Sequence, residues 1–247
     1  MTKRVVIAGD SWGKGEWTPC DPPGSGKSEI THRGLEQYLI DDGHEVYNIS
    51  HGGISNQAIV QRIESWMSKF HDRGVDMILV FQTEYVRDQD LNFFVNWDQV
   101  TRATDLADVC LSRMYARLSE ISIKYNVPIY LIGGVVDTMW LDRWHEHYPG
   151  VTVICQSMYN LILHGDPRIE YPVYSWYSSA TEEIVKRLKK HLPSHELEHL
   201  LALLAQGFYR QSSVFETPQY FWPDGMHSNR HGYLILYKFL QDQKLFN

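Results

Sequence analysis

Two periods of hydrophobic and polar positions run through this chain. Short stretches apolar at nearly every position, Arg4 to Ala8 and Asp76 to Phe81, read as strands buried on both faces. Glu45 to Ile49, Val127 to Ile132 and Val151 to Cys155 add three more short strands. Between them the period lengthens. Leu35, Tyr38, Leu39 and Ile40 mark a helix over Ile30 to Asp42, closed by Gly43, and Ile59, Ile63, Trp66, Met67 and Phe70 stripe a second from Gln57 to His71. A third is predicted from Thr104 to Tyr125. A last one, Arg230 to Gln241, carries Tyr233, Leu234, Leu236, Tyr237 and Leu240. Strand and helix in alternation predict an α/β fold, a flavodoxin-like three-layer α/β/α sandwich around a parallel sheet of about five strands.

The rhythm breaks over residues 157–221, where helices are expected at Ala180 to His191 and Ser194 to Gln206. This stretch reads as a helical insertion or cap within one domain spanning 1–247. Gly13 to Lys27 and Tyr85 to Gln99 read as loops.

Composition narrows the field. A net charge of -7 disfavours nucleic acid or an anionic membrane as partner. Aromatics at 13% suit a surface that stacks on sugar rings, and core packing uses them equally well. The three cysteines, Cys20, Cys110 and Cys155, are far apart and give no disulfide framework, which points to a reducing compartment. Met1 to Arg4 runs straight into the first strand without a signal peptide. No apolar run approaches the roughly 20 residues that span a bilayer. The expected setting is cytoplasmic where the chain is made, which leaves room for release on lysis or packing into a virion.

The chemistry-bearing pieces lie at the two ends. The first strand stops at Gly9-Asp10-Ser11, a turn that lifts a serine hydroxyl out at the strand's C-terminal end, where open α/β sheets bind ligands. A serine there needs a base, and Asp224-Gly225-Met226-His227 offers one. Three residues apart on one loop, the Asp224 carboxylate can reach the imidazole Nδ1–H and leave Nε2 to take the serine proton. Taken singly, each piece also fits a turn or helix-cap role.

Together these pieces resemble the SGNH (GDSL-like) hydrolases, as a divergent member of the phage type. The resemblance implies Ser11 as nucleophile, His227 as base and Asp224 as its orienting carboxylate. The second block is Asn48 to Asn56, with Gly53 the expected oxyanion N–H donor and Gly52 one residue behind. The third block departs from the family, whose Gly-x-Asn-Asp supplies an asparagine amide to the oxyanion hole. Here the run is Phe81-Gln82-Thr83-Glu84, so Thr83 or the amide of Gln82 would have to help the N–H groups of Ser11 and Gly53. Trp12, Asn56, Tyr85 and Trp222 are the candidates for lining the substrate. The implied activity is a serine-dependent esterase acting on a small acyl ester, such as an O-acetylated carbohydrate, without metal or organic cofactor. The alternative is an inactive SGNH-fold module that binds a glycan or serves in a virion, which the missing asparagine favours.

Two other motifs compete. Gly24-Ser25-Gly26-Lys27-Ser28 has the end of a phosphate-binding loop, but Asp21 occupies the position of its first glycine. His195-Glu196-Leu197-Glu198-His199 matches His-Glu-x-x-His on a predicted helix and would make a zinc hydrolase with Glu196 as base. A charged helix face is the plainer reading, since no third ligand stands out downstream.

Overall fold

In a computed structural model, residues 1–17, 29–87, 105–134, 136–138, 147–169, 185–186, 189–190, 192–199, 201–202, 219–221 and 227–247 are described. Five parallel strands form the main sheet: β1 (Arg4–Ala8), β4 (Glu45–Asn48), β5 (Met77–Gln82), β6 (Ile129–Gly133) and β7 (Val151–Cys155). Their order is β4-β1-β5-β6-β7. Counted within the sheet, this is the flavodoxin-like order 2-1-3-4-5. The order in which strands are added reverses beside β1, so the loop after β1 opens at the crevice where such sheets bind ligands.

Alternation within each strand explains the layering. Val6 and Ala8 of β1 and Ile78 and Val80 of β5 enter one core, under α3 (Asn56–Phe70) and α4 (Asp105–Tyr125). Val5 and Ile7, with Met77, Leu79 and Phe81, enter the other, under α2 (Leu35–Asp41), α5 (Met158–His164) and α6 (Arg230–Asp242). A period of two with both parities apolar is what a sheet covered on both faces requires.

Three local outcomes differ from the sequence reading. The helix expected over Ile30 to Asp42 is shorter, because Ile30–His32 forms β3 and pairs with β2 (Glu16–Trp17) in a small antiparallel sheet. Gly34, at φ +58°, breaks the chain between β3 and α2. Within the stretch read as an irregular loop from Gly13, β2 follows a one-turn helix, α1 (Ser11–Lys14). Helix α5 lies inside the stretch read as an insertion, yet Met158, Tyr159, Leu161 and Ile162 are buried in the second core. Ser157 caps it and Gly165, in the left-handed region at φ +75°, ends it.

Of the helix expected over Ser194 to Gln206, residues 194–199 and 201–202 are helical. Its remainder, most of Ala180 to His191, Cys20, most of the loop from Tyr85 to Gln99 and the glycine-lysine run at 24–28 lie outside the described residues. Among the described residues no helix is long and apolar enough to cross a membrane.

Candidate active site

Asp10 shapes the turn that carries Ser11. Its buried carboxylate accepts the backbone N–H of Trp12 through Oδ1 at 3.0 Å and caps α1. Oδ2 accepts the Thr83 hydroxyl at 2.8 Å and the Arg87 guanidinium at 3.2 Å. Arg87 also donates to Glu84 at 2.8 Å. A carboxylate this deep must be paired, and here donors from the segments after β1 and β5 hold it.

The histidine arrives from the far end of the chain. Phe221 and Ser228 form an antiparallel bridge, and the N–H of Asn229 donates to the Tyr220 carbonyl at 2.9 Å. Asn229 caps α6 through the N–H groups of His231 and Gly232. A Cβ on Gly232 would stand 2.1 Å from Ser228 Oγ and 2.8 Å from the Tyr220 carbonyl oxygen, so only glycine lets the helix start against this bridge. His227, next to this bridge, places its Nε2 2.7 Å from Ser11 Oγ, across 216 residues of chain. That is hydrogen-bond distance between a hydroxyl and a ring nitrogen able to accept its proton.

The expected neighbours of this pair divide. Gly53 sits at φ +74°, but nothing would touch a Cβ placed on it; a Cβ on Gly52 would stand 4.0 Å from Ser11 Cβ. Gly52 is thus the glycine shown beside the serine. Thr83 is fully buried and its single hydroxyl hydrogen goes to Asp10, so it has none to give an oxyanion in this arrangement. The Gln82 amide is buried as well, donating to the Asp137 carbonyl at 2.8 Å and accepting from Tyr115 at 2.6 Å. Asn56 spans Thr83, accepting from its N–H at 3.0 Å and donating to its carbonyl at 2.8 Å. These three buried polar side chains tie together the segments at the C-terminal ends of the strands.

The aromatic expectations change in the same sense. Trp12, 1% exposed, packs on Tyr159 at 5.1 Å and stands 6.3 Å from the His227 ring, so it backs the histidine from inside. Tyr85 is buried in the other core, and burial pushes its phenol well above the usual range. Asp224 and Trp222 lie outside the described residues.

Sequence reasoning missed Trp17. Its indole N–H donates to the Ser11 carbonyl at 3.4 Å, and its ring lies 3.8 Å from the Cβ position of Gly52. The ring is half-buried, with Lys14 Nζ 5.9 Å from its centre. Nothing in a glycine-rich stretch told which of two tryptophans, five residues apart, faces outward.

Glu16 and Arg230, one from the segment after Ser11 and one from the segment after His227, form an ion pair at 2.9 Å. Burial alone would raise the Glu16 pKa, but hydrogen bonds and charge from Arg230 hold it below the ordinary carboxylate value. Burial, then the Arg230 charge, keeps His32 below its usual value. In the other histidine-rich segment, His195 is largely exposed and meets Glu196 at 3.9 Å. Among the described residues no three His, Cys, Asp or Glu side chains gather as a metal site.

No family model matches this chain, and no curated protein does. Solved structures similar to it include the psychrotrophic esterase EstA from Pseudoalteromonas sp., at 11% identity over 99% of this chain and 100% of that one, TM-score 0.43. A mutant of Axe2, an acetyl-xylooligosaccharide esterase from Geobacillus Stearmophilus, is 14% identical over 100% and 97%, TM-score 0.43. A member of the lipolytic protein G-D-S-L family from Veillonella parvula is 13% identical over the full length of both, TM-score 0.41. Overlap this loose leaves the chemistry to be read from this chain's own side chains.

Proposed function

We propose that the protein is a serine-dependent ester hydrolase of the SGNH type, cleaving small acyl esters through Ser11 and His227. The observation that carries the reading is the 2.7 Å approach of Ser11 Oγ to His227 Nε2 at the mouth of the sheet's crevice. In the proposed reaction Nε2 takes the serine proton as Oγ attacks the ester carbonyl, and returns it to the leaving alcohol. Water then attacks the acyl carbon as its proton passes to the same nitrogen, and the Oγ–acyl bond breaks with that proton returning to Ser11 Oγ as the acid leaves. Asp224 is the proposed orienting carboxylate. The N–H groups of Ser11 and of the Gly52–Gly53 turn are the proposed oxyanion donors. The half-buried ring of Trp17 beside Ser11 is the aromatic surface offered to a sugar ring in this reading, which makes an O-acetylated carbohydrate the proposed substrate class.

A labelled fluorophosphonate tests this. Modification of the wild type, but not of Ser11→Ala, together with p-nitrophenyl acetate hydrolysis lost in Ser11→Ala and His227→Ala, is the expected result. Equal rates in all three proteins would refute the assignment. A second reading, a catalytically weak or inactive glycan-binding or virion module, is favoured by one observation: the Thr83 hydroxyl and the Gln82 amide are both spent elsewhere. No labelling of the wild type would support it.

A further inference from the structure

We propose that Glu16 and Arg230 form a clasp that fixes the separation of Ser11 and His227, so both are positioning residues for the hydrolysis proposed above, on which this inference rests. Glu16 lies five residues after Ser11 and Arg230 three after His227. Glu16 Oε2 accepts the backbone N–H of Arg230 at 2.7 Å and its Nε–H at 2.9 Å, while Oε1 accepts from Nη2 at 3.3 Å. Arg230 opens α6, and the first N–H groups of a helix have no acceptor of their own. Asn229 satisfies the next two, so the first is left to a carboxylate from a remote strand, whose charge also suits a helix N-terminus. On its other side, the Arg230 carbonyl accepts the Tyr38 hydroxyl at 2.9 Å. Both peptide groups of Arg230 are therefore tied down.

The serine side needs such a tie. Helix α1 is a single turn, too short to hold its own geometry, and it runs into a two-residue strand with a shifted register. Its position comes from outside: Asn48 on the Gly13 carbonyl at 2.8 Å, Tyr233 on the Trp12 carbonyl at 2.6 Å, and Glu16 on Arg230. The first two tie α1 to the sheet and to the body of α6. The clasp alone among them joins the serine segment to the start of α6, three residues after His227. The helix body is anchored separately by buried Tyr233, Leu236 and Leu240. Cutting the clasp is therefore expected to loosen His227 against Ser11 and leave the fold standing.

The test measures fluorophosphonate labelling of Ser11 and p-nitrophenyl acetate turnover in wild type, Glu16→Ala, Arg230→Ala and the double variant. Expected is a fall of about tenfold or more in labelling rate and kcat, with KM within about twofold, in each single variant, and no further fall in the double. Arg230→Lys, which keeps one charged contact, should recover part of the loss. Glu16→Gln serves if an alanine variant does not fold. Single variants that label as fast as the wild type, or a double-variant loss equal to the product of the single losses, would overturn the clasp alone. A wild type that is not labelled at Ser11 would overturn the hydrolase reading and the clasp with it.

Discussion

Tyr233 donates its phenolic hydrogen to the carbonyl oxygen of Trp12 at 2.6 Å, a buried bond between residues 221 apart in sequence. Trp12 follows the serine and Tyr233 belongs to the body of the helix after the histidine. The bond therefore sews together the two chain ends whose meeting makes the site. Tyr233→Phe removes the donor and leaves the carbonyl unpaired in the core, which costs about 1–3 kcal/mol. Urea denaturation should show that loss in the midpoint with an unchanged slope. Ester hydrolysis should fall as well, because Trp12 backs the His227 ring.

Thr83→Val separates two roles for one hydroxyl. If the hydroxyl holds Asp10, as its 2.8 Å bond indicates, the isosteric variant loses a hydrogen bond to a charged group, worth roughly 1.5–3 kcal/mol of stability. Turnover of the folded enzyme should then change only a few fold. If it served the oxyanion instead, kcat would fall by about 10²–10³ with stability hardly moved. Parallel unfolding and kinetic measurements on one variant decide between these patterns.

The parts legible in the sequence were those where hydrophobic burial alone decides the outcome, or where a motif marks the residue. Strands β1 and β5 are apolar on both faces, so no choice of register could hide them. The meeting of Ser11 and His227 was legible because each piece carried a motif. The small hairpin was not. Ile30 and His32 fall in a window that continues into a helical pattern, and their pairing with Trp17 and Glu16 goes with the close approach at Gly15. A Cβ there would stand 2.4 Å from the His32 carbonyl oxygen, at φ +111°. Helix α5 is seven residues long, too short for a stripe to declare itself. The polar residues at the end of β5 and the start of α3 were ambiguous for a different reason. Residue type announces a hydrogen-bonding group, but only the fold decides whether Gln82, Thr83 and Asn56 turn it toward a ligand or toward other groups of the protein.

His44 gives the fold a defined acid sensitivity. Its Nδ1 accepts the Lys3 N–H at 3.1 Å, which requires the neutral ring, and the ring packs on Phe246 at 5.4 Å. Burial lowers its pKa from 6.5, outweighing the upward pull of Asp42. A depressed folded-state pKa means that the unfolded chain takes up the proton first. The stability from this group is then complete above about pH 6.5 and lost as pH falls through the folded value. Denaturation midpoints of wild type should fall between about pH 7.5 and 5.5, and His44→Gln should fall less over the same window. The difference between the two curves isolates His44 from the other histidines. Identical pH dependence would show that the ring does not titrate there.

In the proposed hydrolase, Trp17 is where substrate recognition and the serine meet. Its indole N–H reaches the Ser11 carbonyl, and its ring borders Gly52 on the outer side of the turn. Removing the ring takes away contact surface for the bound ester without touching the hydroxyl or the imidazole. Trp17→Ala should therefore raise KM for an acetylated oligosaccharide several fold more than for p-nitrophenyl acetate, whose leaving group is a single small ring. A loss of about 1–3 kcal/mol of binding, the worth of one well-placed aromatic face, corresponds to roughly 5–150-fold in KM for the larger substrate. Trp12→Phe, a change inside the core, should leave that ratio between the two substrates unaltered. Equal KM changes for both esters in Trp17→Ala would remove Trp17 from the recognition surface and confine it to supporting the turn.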